Sequence, residues 1–258
     1  MNRGKEGKPF KLTNSYIRFL AVVRYLYGMP YRQLEGFTRA LGNIVDVPSG
    51  DYTGMRRRVL SIDMSPFEGL QQSEGPLAIA IDSTGVRVLK AGGWIERQHG
   101  VNKKYLKLHF TVDVKTKEVV AMEVTTGERH DSTVAEKLVD QAEANAGPVK
   151  EVLGDGAYDS ARIYERLREK GIDAAIKPRK NSILNTRSEA RRCEVDLYRC
   201  LGHKKWAEEK GYGRRWSVET AHSTFKRTFG ESVMAKTMAN AVKELVAKAA
   251  IYNMLVRT

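Results

Sequence analysis

The segment from Tyr212 to Lys226 concentrates four side chains that could act on a charged substrate. It is written YGRRWSVETAHSTFK, and Tyr212, Arg215, Glu219 and Lys226 carry a phenol, a guanidinium, a carboxylate and an ammonium. At about 100° per residue in an α-helix, these four side chains fall within an arc of roughly 60°. A carboxylate between two cations suits a site that holds both a metal ion and a phosphate. Charged helices also produce such sets by coincidence, and the glycines on either side of Tyr212 leave open whether it lies on the helix or just before it.

Two further carboxylates stand at the ends of predicted strands. Asp82 lies in IDSTG and Asp155 in LGDGAYDS. A lone Asp in either setting is ordinarily a turn residue, but together with Glu219 they supply three hard oxygen ligands suited to Mg²⁺. Two such ions about 3.5–4 Å apart can activate one oxygen and stabilise the leaving oxygen in a phosphoryl displacement. The three carboxylates therefore predict a metal-dependent phosphoryl-transfer site.

The surrounding pattern predicts the elements that must position these residues. Three strands precede a helix at about 133–145, and two more strand–helix units follow before the last helix. The order β-β-β-α-β-α-β-α predicts a ribonuclease H-like α/β fold, a mixed five-stranded sheet flanked by helices. In that topology the first strand is central and the fourth lies beside it, so Asp82 and Asp155 become neighbours and Glu219 arrives from a helix. A turn is expected at Gly92-Gly93, and residues 180–210 show no clear core pattern.

The N-terminal part predicts a small all-α, helix-turn-helix-like unit. Helical patterns at 15–28 and 31–41 are followed by a short helix from about Asp51 that carries Arg56, Arg57 and Arg58. Three helices with a basic last helix are typical of a DNA-reading unit, and a helical bundle with one solvated basic face is the alternative. We expect a helical DNA-binding domain at 1–61, a linker at 62–76 and a catalytic domain at 77–258.

Charge and composition favour a nucleic-acid partner. Residues 1–61 hold 11 Lys and Arg against 4 Asp and Glu, and residues 177–258 hold 18 against 8, within a chain of net charge +13. Basic ends of this kind suggest a polyanion, and nucleic acid is the commonest one. The two cysteines do not form a Cys-x-x-Cys pair, so zinc ligation by Cys193, Cys200 and His203 is the weaker reading. We expect no membrane span and a cytoplasmic, nucleoid-associated protein.

These motifs together resemble the DDE transposases of prokaryotic insertion sequences, in particular the insertion-sequence family five and four group. IDSTG and LGDGAYDS are similar to that family's two aspartate motifs. The segment from Tyr212 to Lys226 matches its third signature, Tyr-(2)-Arg-(3)-Glu-(6)-Lys, at every spacing. Three further segments are also similar to family segments. They are YLKLH, the run GERHD that ends at Asp131, and the N-terminal stretch from MPYRQLEGFTRALG through YTGMRRR. The resemblance covers about residues 25–258.

The resemblance implies a role for each matching residue. Asp82, Asp155 and Glu219 would bind two Mg²⁺ ions, for which Mn²⁺ can substitute, and would form the catalytic triad. Tyr212, Arg215 and Lys226 would grip phosphates near the cleaved transposon end. Trp216 is placed like an aromatic that stacks on an unpaired base, although a buried helix residue is an equal alternative. The modest distance in sequence between Asp155 and Glu219 predicts that the β insertion of some relatives is absent.

The resemblance implies an enzyme that cuts DNA at the ends of its element and joins the freed 3′-hydroxyl to target DNA. Transposon ends and target DNA would be its partners, and we expect a homodimer when it is assembled on DNA. A structure-specific nuclease on the same fold and a domesticated DNA-binding protein with a decayed active site are the competing hypotheses. The intact carboxylates argue against decay, and Arg215 with Lys226 argues for strand transfer over hydrolysis.

Overall fold

A mixed β-sheet organises the computed structural model, which describes residues 11–71, 75–88, 105–184 and 188–257 of the chain. Its strands are β1 (Leu77–Val88), β2 (Tyr105–Asp113), β3 (Val119–Thr126), β4 (Val149–Gly154), β5 (Asp173–Ile176) and the two-residue β6 (Ser232–Val233). The order is β3-β2-β1-β4-β5, and β6 pairs with β1. β2 is antiparallel to both β1 and β3, whereas β4 runs parallel to β1 and to β5. The predicted fold class and five-strand path are confirmed, and β6 is an addition that the sequence did not suggest.

The helices cover both faces of this sheet. In chain order they are α1 (Asn14–Leu26), α2 (Tyr31–Gly42), α3 (Tyr52–Ser61), α4 (Ala135–Ala146), α5 (Ala161–Glu169), α6 (Glu189–Glu209), α7 (Trp216–Phe229) and α8 (Met238–Val256), with short 3₁₀ turns at Asp131–Thr133 and Tyr212–Arg215. All of them except α6 were predicted near these bounds. The expected turn at Gly92-Gly93 lies outside the described residues.

The side chains of each strand point alternately to the two faces of the sheet, and each face is buried in its own hydrophobic core. On β1, Ala80 faces a core shared with α7, α8 and the N-terminal helices, whereas Ile79 and Ile81 face a second core built on α4 and α5. Successive side chains of a strand point to opposite faces, so both faces of the central strand are buried. Burial on both sides fixes the register of β1, and this in turn fixes the direction of every polar side chain that it carries.

The N-terminal helices pack against the first of these cores. Ile17 and Leu20 of α1, Leu34 of α2 and Met55 of α3 are buried in the same cluster as Leu245 of α8. Because the cluster is continuous, the three helices are held against the sheet and α8 by apolar contacts. The division into 1–61, 62–76 and 77–258 remains a prediction.

A buried ion pair ties α6 to the turn that follows β4. The carboxylate of Asp159, which is fully buried, accepts hydrogen bonds from Arg191 Nε at 2.7 Å and from Arg191 Nη2 at 3.0 Å. It also accepts hydrogen bonds from Arg179 N at 2.9 Å and Ser182 Oγ at 2.6 Å. Burial works against ionisation, yet these bonds hold the pKa of Asp159 below its usual range. Asp159 therefore fixes α6 to the segment that carries Asp155.

We predict that Asp159→Asn lowers the free energy of unfolding by about 3–5 kcal/mol, because it leaves the largely buried Arg191 without a counter-charge. The measurement is urea unfolding of both proteins at neutral pH. A carboxyl with a lowered folded-state pKa stabilises the protein above its unfolded pKa of about 4, so the difference should shrink as the pH falls below that value. Glu189→Gln, which breaks an exposed pair with Arg168, is the control and should change little. Equal effects of the two substitutions would contradict this account.

Candidate active site

Strand pairing brings Asp82 and Asp155 together. β1 and β4 run parallel with Ile81 opposite Gly154, so the residue that follows each of them is an aspartate at the same level of the sheet. Asp82 shares the face of Ala80, which is the face covered by α7. Asp155 stands one residue beyond β4, where its Oδ1 accepts a hydrogen bond from the backbone N–H of Ala157 at 2.8 Å. This bond fixes the carboxylate of Asp155 in the turn.

Glu219 reaches the same place from the first turn of α7. Gly211 adopts the left-handed conformation with φ 54°, and the 3₁₀ turn Tyr212–Arg215 then leads into the helix. A carboxylate in the first turn of a helix is stabilised by the unsatisfied N–H groups there. Helix α7 packs on β1 through buried Val218 and Ala221. This packing points Glu219 toward Asp82, which lies in the middle of β1, and toward the end of β4.

Arg215 contacts two of the three carboxylates, those of Asp82 and Glu219. Its Nη1 lies 4.0 Å from Asp82 Oδ2, and its Nη2 donates a hydrogen bond to Glu219 Oε1. The guanidinium also lies 5.6 Å from the centre of the Tyr212 ring. The side chain of Arg215 is only 17 % exposed, so it is an internal cation of the site. Arg215 was predicted to contact phosphate, and its pairing with the carboxylates could not be inferred from the sequence.

The negative charges of the site affect one another. The pKa of Asp82 is raised to about 6, chiefly by burial and to a smaller extent by the charges of Asp155 and Glu219, against the opposing effects of the Ser83 N–H and Arg215. Crowded, partly desolvated carboxylates favour a bound cation, because a cation relieves their repulsion. Two Asp and one Glu also supply the oxygen ligands that Mg²⁺ prefers. The chemistry of the donor set therefore fits divalent metal ions.

The three carboxylates are nevertheless too far apart to bind one metal ion together. Among the described residues, no three His, Cys, Asp or Glu side chains are grouped so that they could hold a metal ion. Cys193 and Cys200 are free and exposed on α6, apart from this site. The guanidinium of Arg215 links Asp82 to Glu219.

The remaining predicted residues of the signature surround the carboxylates at different depths. Tyr212 is half-buried on the 3₁₀ turn, where its ring packs 5.1 Å from that of Trp206, so it lies before the helix rather than on it. Trp216 is 71 % exposed at the start of α7, which excludes the buried alternative. Lys226 is half-buried on α7, seven residues beyond Glu219, which places it two helical turns or about 10.5 Å along the axis.

The three N-terminal arginines do not share one environment. Arg56 and Arg57 are exposed on α3. Arg58 is partly buried and donates hydrogen bonds to Leu12 O at 3.2 Å and to Asn14 Oδ1 at 2.6 Å, so it fastens α3 to the start of α1. This difference could not be inferred from the run of three identical residues.

The sequence belongs to a known family across most of its length. A family model described as "Transposase DDE domain" matches residues 73–254, and a second model of the same description matches residues 1–91. The chain belongs to the DDE transposase family. Members of this family are enzymes that cut and join DNA, and they generally use divalent metal ions.

The transposase is similar in fold to a solved structure of another transposase. A piggyBac transposase synaptic complex with hairpin DNA matches with a TM-score of 0.50 and 14 % identity, over 98 % of this chain and 67 % of that chain. A Drosophila P element transposase strand transfer complex matches with a TM-score of 0.38 and 10 % identity, over 100 % of this chain and 83 % of that chain. At these identities the first likeness supports the ribonuclease H-like fold and nothing finer. Within the described parts of the transposase, no helix is long and apolar enough to cross a membrane.

We predict that Asp82→Asn makes the metal-free transposase more stable at pH 8. A carboxyl with a raised folded-state pKa costs stability when it is ionised, and the shift corresponds to about 1–3 kcal/mol and a rise of several degrees in Tm. Because wild-type Asp82 takes up a proton as the pH falls through about 6, the gain should fade below that pH. The measurement is thermal unfolding in chelator between pH 5 and pH 8. Asp140→Asn on α4 is the control and should give no gain; a less stable Asp82→Asn protein at pH 8 would contradict the prediction.

Proposed function

We propose that this chain is the transposase of a prokaryotic insertion sequence of the family five and four group, which cleaves DNA at the element's ends and joins the 3′-hydroxyl to target DNA. The observation that carries the proposal is the pairing of Ile81 with Gly154, which sets two aspartates side by side below the helix of the Tyr-(2)-Arg-(3)-Glu-(6)-Lys signature. Family membership supports the same reaction. The enzyme would act in the cytoplasm on nucleoid DNA and would assemble as a homodimer on the element's ends.

Asp82, Asp155 and Glu219 would hold two Mg²⁺ ions, or Mn²⁺ in their place. When bound, such ions activate an attacking oxygen and stabilise the leaving oxygen of a phosphodiester. Asp82 and Asp155 are fixed by the sheet and by the turn after β4, whereas Glu219 sits on a helix and is 40 % exposed. The two aspartates therefore form the rigid part of the site, whereas the more exposed side chain of Glu219 can change its conformation when a metal ion binds.

Arg215 would serve two states of the enzyme. Without metal it neutralises Asp82 and Glu219, which stabilises a cluster of carboxylates that would otherwise repel one another. With metal and DNA in place, the carboxylates have other partners, and the guanidinium becomes available for a bidentate contact with a phosphate. Tyr212 packs beside Arg215 and limits the directions that the guanidinium can take.

Trp216 and Lys226 would extend the contact with DNA along α7. A tryptophan that exposes 71 % of its surface beside a cluster of charges is a suitable platform for an unpaired base. Lys226 would add a point charge two turns further along the helix. Arg56 and Arg57 of α3 are exposed and suited to contact the DNA backbone, whereas Arg58 would contribute mainly by holding α3 in place.

We predict that cleavage requires Mg²⁺ or Mn²⁺ and that Asp82→Ala, Asp155→Ala or Glu219→Ala each abolishes it while DNA binding stays measurable. The physical reason is that each substitution removes an oxygen ligand from the proposed site. The assay is cleavage of DNA that carries the element's ends, with and without chelator. Asp140→Ala, which removes a carboxylate from α4, is the matched control and should cleave normally. Full activity in chelator would refute the metal mechanism.

We predict further that Arg215→Lys impairs joining although it keeps the charge, because an ammonium cannot replace the planar, two-pronged guanidinium. Lys226→Ala should keep the fold, as judged by circular dichroism, but lose ordered assembly on matched ends. Gel-shift and joining assays on matched and scrambled end sequences measure both effects. Lys137→Ala, on the exposed side of α4, is the control. If Arg215→Lys and Lys226→Ala both join ends at the wild-type rate, the signature helix does not grip DNA.

A further inference from the structure

Three cations follow directly on strand β5, and they take no part in the phosphoryl transfer proposed above. They are Lys177, Arg179 and Lys180, which we call the β5 cations. Lys177 is half-buried, whereas Arg179 and Lys180 are exposed. Their place in the sheet brings them to the edge of the active site.

The register of the sheet puts Lys177 level with the two aspartates. Ile81 on β1 pairs with Gly154 on β4, and Gly154 pairs with Ile176 on β5. The residues that follow these three form one row across neighbouring strands, and they are Asp82, Asp155 and Lys177. The backbone N–H of Lys177 donates to Gly154 O at 3.1 Å, so the ladder of hydrogen bonds extends one residue beyond β5. Since neighbouring strands lie about 4.8 Å apart, Lys177 stands about one strand spacing from Asp155.

Alternation along β5 puts the side chain of Lys177 on the face of the sheet that carries the carboxylates. Ala175 belongs to the core shared with α7, as does Ala80 of β1, whereas Ile176 belongs to the core built on α4 and α5. Successive side chains of a strand point to opposite faces. Lys177 therefore shares the face of Ala175, just as Asp82 shares the face of Ala80.

Arg179 lies against the turn that carries Asp155. Its Nε donates a hydrogen bond to Gly156 O at 2.7 Å, and its Nη2 donates to Ala157 O at 3.2 Å. A guanidinium has five N–H groups, and within the described residues the others on Arg179 donate no hydrogen bond. Because the side chain is exposed, these groups can bind a ligand that approaches Asp155 from the side of β5.

The β5 cations have no counter-charge in the described parts of the chain. Other cations near β4 and α6 are paired with carboxylates, and these pairs are Arg191–Asp159, Lys210–Glu194 and Arg214–Glu151, each at 2.7 Å. A group of like charges without a counter-charge attracts anions. In a chain of net charge +13 that matches a transposase domain, the anion with the fitting chemistry is a DNA phosphate.

We propose that Lys177 and Arg179 bind the phosphate backbone of DNA on the β5 side of the carboxylates. Helix α7 packs on β1 and β2, whereas β5 lies on the other side of β4. A DNA strand that passes the carboxylates would therefore meet cations of α7 on one side and the β5 cations on the other. Phosphates held on both sides would orient the bond to be cleaved. This inference rests on the proposed function, because that function brings DNA to the carboxylates.

Lys177→Gln tests the contact, because it removes the charge and keeps most of the side chain. The measurement is the Kd for a duplex that carries one element end with its flanking DNA, at saturating Ca²⁺ and several salt concentrations. We expect the plot of log affinity against log salt to become shallower by about 1, and the Kd at 0.1 M salt to rise about fivefold to tenfold. Lys177→Arg should keep the wild-type slope.

Lys150→Gln is the matched control. It removes the same charge from an exposed lysine at the opposite end of β4, so the slope should not change. An unchanged slope in Lys177→Gln, or an equal loss of slope in Lys177→Gln and Lys150→Gln, would overturn the proposal.

A second measurement uses the wild-type protein and so does not depend on the folding of a variant. Bound duplex should slow the acetylation of Lys177 by a lysine-specific reagent, as read by mass spectrometry, and should leave the rate at Lys150 unchanged. Equal rates at Lys177 with and without the duplex would overturn the contact.

Failure of the proposed function has a different result. In that case the alanine variants of Asp82, Asp155 and Glu219 stay active, whatever Lys177→Gln does. If those variants are inactive but the slope and the acetylation rate do not change, only the contact by the β5 cations is refuted.

Discussion

The cost of holding the partly buried carboxylate of Asp82 near Asp155 and Glu219 is the constraint on which the rest of the structure depends. Carboxylates that are partly desolvated and close together destabilise the folded chain, as the raised pKa of Asp82 shows. The protein holds them in place with a rigid sheet, a well-packed helix and the guanidinium of Arg215. We propose that these carboxylates bind metal ions, because a bound cation would remove this cost to stability.

Rigid support comes from both faces of the sheet. On one face, apolar contacts between β1, β2 and α7 carry Glu219 and Arg215 to the aspartates. On the other face, the second core includes Ile81 of β1 and Tyr158 of the segment after β4. The Asp159–Arg191 pair then fastens α6 to the turn that carries Asp155. The segments that carry the three carboxylates are thus positioned by contacts that the chain makes away from the carboxylate oxygens.

The sequence predicted the strand order because its succession of strands and helices is typical of a ribonuclease H-like topology, in which the strands that lead to Asp82 and Asp155 are neighbours. Alternation along β1 and the position of Asp82 within it follow from the period of a strand. Helix α6 was missed because its charged residues surround only two buried side chains, Val195 and Trp206, and because Gly202 interrupts the pattern. The pairing of Arg215 with Asp82 could not be foreseen, since it joins residues 133 positions apart. The unequal roles of Arg57 and Arg58 depend in the same way on tertiary contacts.

The central claim is that Asp82, Asp155 and Glu219 form one metal-binding site, and Mn²⁺-dependent thermal unfolding of the DNA-free protein tests it most directly. An ion that binds only the folded state stabilises it by about 2.7 kcal/mol at 100 times its Kd. The account predicts that the Tm of the wild-type protein rises with Mn²⁺ concentration and that the double variant Asp82→Asn/Glu219→Gln shows no such rise. An equal rise in both proteins would contradict it.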